Sequence, residues 1–347
     1  MSSTGKPINL ALQGGGAHGA FSWGVLDYLL EDGRLSLAGV SGTSAGAMNA
    51  VALADGYTRG GRDGAREALD HFWRSMSESV KNSPLQRTPI DRLAGNWGLE
   101  NNPFYHFMNA LTGVASPYQL NPMNINPLRD LVEKSIDFEM VRKCTAFQLF
   151  VSATNVETGR VRVFSREEMT VDMVMASACL PQMYQAIEID GIPYWDGGFM
   201  GNPALFPLYG KTGTDDIIVI QINPVERKGA PRTAQDIQNR LNEISFNASL
   251  LKELRAIDFV DRLITQGKLS TDEYRPVKVH LIENENALKP MGASSKMNVE
   301  WAFLTRLRDI GRDTAAEWLD ATYDNIGVKS TVDLRAMFQG IGAEHQG

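Results

Sequence analysis

Cysteine is almost missing from this chain. The 347 residues hold two, Cys144 and Cys179, which form no CxxC pair and stand far apart. Neither a zinc site nor a disulfide framework is indicated, and both thiols are expected to be buried and reduced. Long apolar runs are lacking too. No stretch reaches the roughly 18 consecutive apolar residues that read as a membrane-spanning helix, and Met1 to Pro7 has neither the basic patch nor the apolar run of a secretory signal. The cytoplasm is the expected compartment. Excess positive charge is also absent, since 34 Lys and Arg face 41 Asp and Glu for a formal charge of −7. A nucleic-acid partner demands a basic face, so no nucleic acid is expected.

What is present suits a globular protein. Hydrophobic residues make up 43% and charged residues 22%, enough to bury a sizeable core. The chain reads as one α/β domain over 8–340, with a cap or lid insertion at 81–126 and a mainly helical part at 233–340.

Residues 8–12 read as a strand, followed by Gly14-Gly15-Gly16-Ala17-His18-Gly19 and a helix whose stripe of Phe21, Val25, Leu26, Leu29 and Leu30 stops at Gly33. A second strand over 35–41 runs into Gly42-Thr43-Ser44-Ala45-Gly46, and an Ala-rich helix follows to about Tyr57. Strand, turn, helix, strand, turn, helix is the opening of a mostly parallel sheet flanked by helices. Apolar runs at 147–153, 217–222 and 277–282 supply further strands buried on both faces. The insertion is rich in Asn, Pro and apolar side chains such as Phe104, Phe107, Tyr118 and Met123, which suit either a lid over a lipid site or packing on the core. From Thr233 a long helix begins with a Thr233/Asp236 capping pair. Its Ile237, Leu241, Ile244, Ala248 and Leu251 form a stripe expected to pack against the sheet.

Gly42-Thr43-Ser44-Ala45-Gly46 fits the G-x-S-x-G turn that lifts a serine hydroxyl between a strand and a helix. Gly42 and Gly46 support the elbow, because a side chain two positions from the serine would clash where the two backbones nearly touch. Gly14, Gly15 and Gly16 offer unhindered backbone N–H groups beside it, the material of an oxyanion hole, where losing one donor typically costs ~10²–10³ in rate. Gly14, Gly16 and Gly19 also satisfy a dinucleotide-binding G-x-G-x-x-G. The acidic residue that should then close the second strand is missing, since that strand ends Gly39-Val40-Ser41-Gly42.

The serine needs a base. A triad through His280 or His345 is compatible with chain order, yet Asp196 is better placed. Asp190-Gly191 suits a two-residue hairpin turn between Ile187–Ile189 and Ile192–Tyr194. Trp195-Asp196-Gly197-Gly198 comes just after it, where no second reversal is needed, and a carboxylate there can act directly on the serine.

Together the glycine loop, the Ser44 elbow, Ala176-Ser177-Ala178-Cys179-Leu180-Pro181, and Asp196-Gly197-Gly198 followed by Asn202-Pro203 resemble the patatin-like phospholipases over about 8–222. The resemblance implies a three-layer α/β/α fold, no metal or cofactor, and hydrolysis of fatty acyl esters of a lipid substrate. A transient contact with a membrane surface fits that substrate. Carried over, Ser44 is the nucleophile, Asp196 the base and later the acid, and Gly15 and Gly16 the main oxyanion donors. The family usually has Lys or Arg where this chain has His18, so the contact made by that cation is not carried over. An acyltransferase using the same acyl-enzyme and a non-catalytic lipid-binding protein are the alternatives.

Overall fold

The computed structural model describes residues 5–339 apart from Thr271. In chain order, β1 (Lys6–Leu12), α1 (Gly19–Asp32), β2 (Leu35–Gly42) and α2 (Ala45–Ser79) are followed by five short helices. These are α3 (Pro89–Ala94), α4 (Pro103–Thr112), α5 (Pro117–Leu120), α6 (Pro127–Ser135) and α7 (Phe138–Lys143). Then come β3 (Gln148–Asn155), β4 (Val161–Ser165), α8 (Val171–Ser177), β5 (Ile187–Ile189), β6 (Ile192–Asp196) and β7 (Asp216–Ile220). The chain closes with α9 (Ala234–Thr265), β8 (Lys278–Ile282), α10 (Glu285–Leu288), α11 (Trp301–Thr322) and α12 (Leu334–Gln339).

The strands form one sheet in the order β5-β6-β3-β2-β1-β7-β8, with β4 on the remaining edge of β3. Pairing is parallel from β3 through β2, β1 and β7 to β8, and antiparallel where β4 and β6 meet β3 and where β5 meets β6. Side chains alternate between faces along a strand. Thus Ile8, Leu10, Leu12, Ile218 and Ile220 join a core with α1, α2 and α11, while Ala11, Ile217 and Val219 join a second core with Leu250, Leu254 and Ile257 of α9. A sheet covered on both faces makes three layers.

The register of β3 places the site. Phe150 and Val151 pair with both β2 and β4, and Ala153 and Thr154 with both β4 and β6. β2 and β6 therefore share one edge of β3, end to end. Asp196, the last residue of β6, pairs with Ala153, two residues beyond the Val151 partner of Gly42. The hairpin that delivers it turns at Asp190 (φ 53°) and Gly191 (φ 77°), both in the left-handed region that a two-residue turn demands.

Two expectations need correction, and one open alternative gains an observation. α2 does not end near Tyr57; the non-helical pair Gly60-Gly61 kinks it and it resumes to Ser79. The expected stripe of α9 is not the face that packs: Ile237, Leu241 and Ile244 are 45–52% exposed and Ala248 and Leu251 half-buried, while Leu250, Leu254 and Ile257 are buried. Glu243 and Asn247 are buried as well, so the helix is turned with its Asn247, Leu250, Leu254 and Ile257 face inward. In the insertion Leu99 and Tyr105 are buried, whereas Phe107, Val114, Tyr118, Met123 and Ile125 are exposed rather than packed on the core. The end of the expected domain, Gly340, lies outside the described residues.

Candidate active site

β2 runs into the turn at Ser44, whose φ of 55° and ψ of −120° lie outside the regions a side chain prefers, a strain of order 1–3 kcal/mol. The surroundings hold it there. The Ser44 N–H donates to Ser177 Oγ at 2.8 Å, Gly46 N–H to the Thr43 carbonyl at 2.8 Å, and Met48 N–H to the Ser44 carbonyl at 3.1 Å. A Cβ on Gly42 would stand 2.5 Å from the Gly46 carbonyl oxygen, and one on Gly46 would overlap that of Leu12. Neither elbow position has room for a side chain.

Asp196 is buried. Its N–H donates to the Cys179 carbonyl at 2.8 Å and its own carbonyl accepts from Thr154 Oγ1 at 2.8 Å. Burial pushes its carboxyl up to about 7, against the opposing pull of hydrogen bonds from the Gly198 N–H and the Ser44 side chain. The Gly198 bond is 2.7 Å. Ser44 and Asp196 are therefore brought together. Cys179 is no rival nucleophile, because burial, and then the Asp196 charge, hold its thiol at about 12.

The glycine loop closes the third side. A Cβ on Gly14 would lie 2.6 Å from the Ser44 Cβ, so the loop touches the elbow. Of its three amides, Gly14 cannot serve as an oxyanion donor as the sequence suggested, because its N–H is taken by Asn202 Oδ1 at 2.7 Å. Among the described residues no acceptor is paired with the Gly15 or Gly16 N–H.

Sequence reasoning missed what holds this loop. Gln13 accepts from the Ile222 and Asn223 N–H groups through Oε1, at 3.0 Å each, and donates through Nε2 to the Asn202 carbonyl at 3.3 Å and to Asn247 Oδ1 at 3.2 Å. Thr43 Oγ1 and Ser152 Oγ both donate to the Gly201 carbonyl, at 2.6 and 2.9 Å. Elbow, base loop and glycine loop are thereby tied through Gly201 and Asn202. The one available signal was the polar Gln221-x-Asn223 closing the apolar run of β7.

His18 is buried, with Nε2 2.8 Å from Ser295 Oγ. Burial, then the charges of Lys296 and Arg227, lower it to about 3, so it is neutral and supplies no cation. His280 sits away from the elbow, 3.0 Å from Asp216 Oδ1 at the start of β7. His345 lies outside the described residues.

Residues 10–209, more than half of the chain, match the patatin-like phospholipase family. The chain belongs to that family. Membership supports a lipid-hydrolysing activity. No curated protein sequence matches the chain. Among solved structures it is similar to VipD from Legionella pneumophila, with 16% identity and a TM-score of 0.42 over 92% of this chain and 67% of that one. It is also similar to the type III effector ExoU, with 14% identity and a TM-score of 0.34 over 92% and 54%. A third match is full-length ExoU in complex with SpcU from the type III secretion system of Pseudomonas aeruginosa, at 14% identity and a TM-score of 0.31 over 91% and 53%. The chain thus spans about two thirds of the first and about half of the other two. Among the described residues no helix is long and apolar enough to cross a membrane.

Proposed function

We propose that this patatin-like protein is a carboxylic-ester hydrolase acting on fatty acyl lipids through a Ser44–Asp196 dyad. The observation that carries it is the Ser44 side chain against a buried carboxyl whose pKa, about 7, suits a general base near neutral pH. Asp196 takes the Ser44 proton as Oγ bonds to the ester carbonyl carbon, and the oxyanion formed is held by the Gly15 and Gly16 N–H groups. The ester C–O bond then breaks, and Asp196 passes its proton to the departing alcohol. Water attacks the acyl-enzyme while Asp196 takes its proton. The fatty acid leaves and Ser44 is protonated again.

The cap supports a lipid substrate. Residues 101–128 include no Asp, Glu, Lys or Arg and expose Phe107, Val114, Tyr118, Met123 and Ile125. A charge-free apolar surface inserts into a lipid interface without desolvating ions. It is also hung close to the site: the Ala186 N–H donates to Tyr118 Oη at 3.2 Å and Gln185 Nε2 to the Asn121 carbonyl at 2.8 Å. On the other side the Leu99 N–H donates to Ser294 Oγ at 2.8 Å.

A fluorophosphonate probe is expected to label the wild-type chain at Ser44. The Ser44→Ala protein should lose labelling and at least ~10³ of its rate on a p-nitrophenyl acyl ester. Full activity in Ser44→Ala would refute the assignment.

A further inference from the structure

Asn223 is fully buried three residues past the end of β7. Because β7 pairs with β1, this residue arrives beside the glycine loop that follows β1. Its Nδ2 donates to the Gly14 carbonyl at 2.7 Å, and its Oδ1 accepts from Lys296 Nζ at 2.7 Å. An ammonium has only donors, so the atom facing Lys296 is the amide oxygen. That leaves the NH₂ for Gly14.

The Gly14 carbonyl and the Gly15 N–H belong to one planar trans peptide and point in opposite directions. Pulling the carbonyl toward Asn223 aims the N–H away from it. The preceding peptide is held as well, since the Gly14 N–H is fixed on Asn202 Oδ1. We propose that Asn223 is a positioning residue that aims the Gly15 N–H at the reacting carbonyl oxygen, and that Lys296 polarises this relay from behind. The inference rests on the glycine loop being the oxyanion hole.

Charge assistance strengthens the bond from Lys296 to Asn223 Oδ1, and chained hydrogen bonds reinforce one another. Polarisation of the Asn223 amide makes its NH₂ a better donor to Gly14, and a more polarised Gly14–Gly15 peptide makes its N–H a better donor to an oxyanion. Lys296 is also in place sterically, because a Cβ on Gly16 would overlap its carbonyl oxygen. The segments are already tied to β1 by Gln13. The Asn223 side chain therefore adds a bond to the one carbonyl whose peptide carries the donor.

The test uses the full chain and a soluble p-nitrophenyl ester, with active sites counted by fluorophosphonate titration. Asn223→Ala should lower kcat per competent site by about 10- to 100-fold, with KM within about twofold. Affinity for a trifluoromethyl ketone, which forms the tetrahedral adduct, should fall by the same factor as kcat/KM. Lys296→Met should lower kcat several-fold, and Lys296→Arg should recover most of that loss.

A per-site kcat for Asn223→Ala within twofold of wild type would overturn the proposal, as would unchanged ketone affinity alongside a reduced kcat. Should Asn223→Ala not fold, Lys296→Met decides, and an unchanged kcat there overturns it equally. Ser44→Ala separates the two layers. If it stays active, the Ser44–Asp196 assignment has failed; if it is silent while Asn223→Ala is fully active, only this inference has.

Discussion

A carboxylate sealed from water opposes folding when ionised, and in the proposed dyad Asp196 must be ionised to accept the serine proton. Its pKa in the fold, about 7, sets the acid side of the pH profile, so kcat/KM should rise tenfold per pH unit below about 7, level off just above it, and then fall several-fold as Lys296, which burial lowers to about 8, gives up its proton. The same shift has a stability consequence of definite sign. The folded state holds this proton more tightly than the unfolded chain, so the stabilisation is fully present below the ordinary carboxyl range and is lost as pH rises through about 7. At pH 8 the ionised group costs on the order of 2–4 kcal/mol. Asp196→Asn, which retains an oxygen acceptor for the Gly198 N–H, should therefore be inactive yet melt several degrees higher at pH 8. The gain should shrink at pH 5, and equal melting temperatures at both pH values would contradict the burial argument. That Ser44 and Asp196 meet could be read from the sequence because glycines flank both for steric reasons. Asn223 and Lys296 could not, since a hydrogen bond to a main-chain carbonyl leaves no spacing rule behind.

The elements differ in how far pattern alone exposes them. β7 shows itself as Asp-Ile-Ile-Val-Ile and the β5–β6 hairpin by its Asp-Gly turn, because a buried strand and a tight turn each restrict residue type locally. α9 shows the limit. The four-and-three spacing of Ile237, Leu241 and Ile244 identifies a stripe but not which face is covered, and here the covered face carries Asn247, Leu250, Leu254 and Ile257. The insertion behaves alike: its aromatics announce burial somewhere, and the fold leaves many of them facing water. These exposed groups matter in the proposed function only when the substrate is presented as a surface. Phe107→Ser combined with Met123→Ser should reduce hydrolysis of phosphatidylcholine vesicles by about tenfold or more, as roughly 1.5–3 kcal/mol of apolar transfer is lost per large side chain. Hydrolysis of a soluble short-chain ester should change less than twofold. Equal losses on both substrates would place the cap in folding or in the acyl pocket instead.

Across the whole molecule, the proposed chemistry and the buried Asp216 carboxylate occupy opposite ends of the parallel strands. Gly14, Ser44 and Asn223 all follow the carboxyl ends of the parallel strands β1, β2 and β7, the end where α/β sheets leave room for ligands. Asp216 opens β7 at the other end, where its carboxylate accepts from the Gly327 N–H at 2.7 Å and faces His280 Nε2 at 3.0 Å, with Lys278 at 3.8 Å. These partners hold Asp216 below the usual carboxylate range in spite of its burial. The sign is opposite to that at Asp196: this group stabilises the fold above the ordinary carboxyl range, and that contribution is lost as pH falls through its depressed value. His280 also sits edge-on to Trp318, 6.3 Å between ring centroids, so it joins β8 to α11 as well as to β7. Removing it with His280→Ala should cost about 2–4 kcal/mol at pH 7, through a lost partner and a cavity, and denaturant unfolding would measure this. Per-site kcat, counted with the fluorophosphonate, should stay within twofold of wild type. A collapse of kcat with unchanged stability would instead return the base to a histidine. It would then have to act from the middle of β8, three strands across the sheet from β2 at about 4.8 Å per strand, well beyond reach of a serine proton.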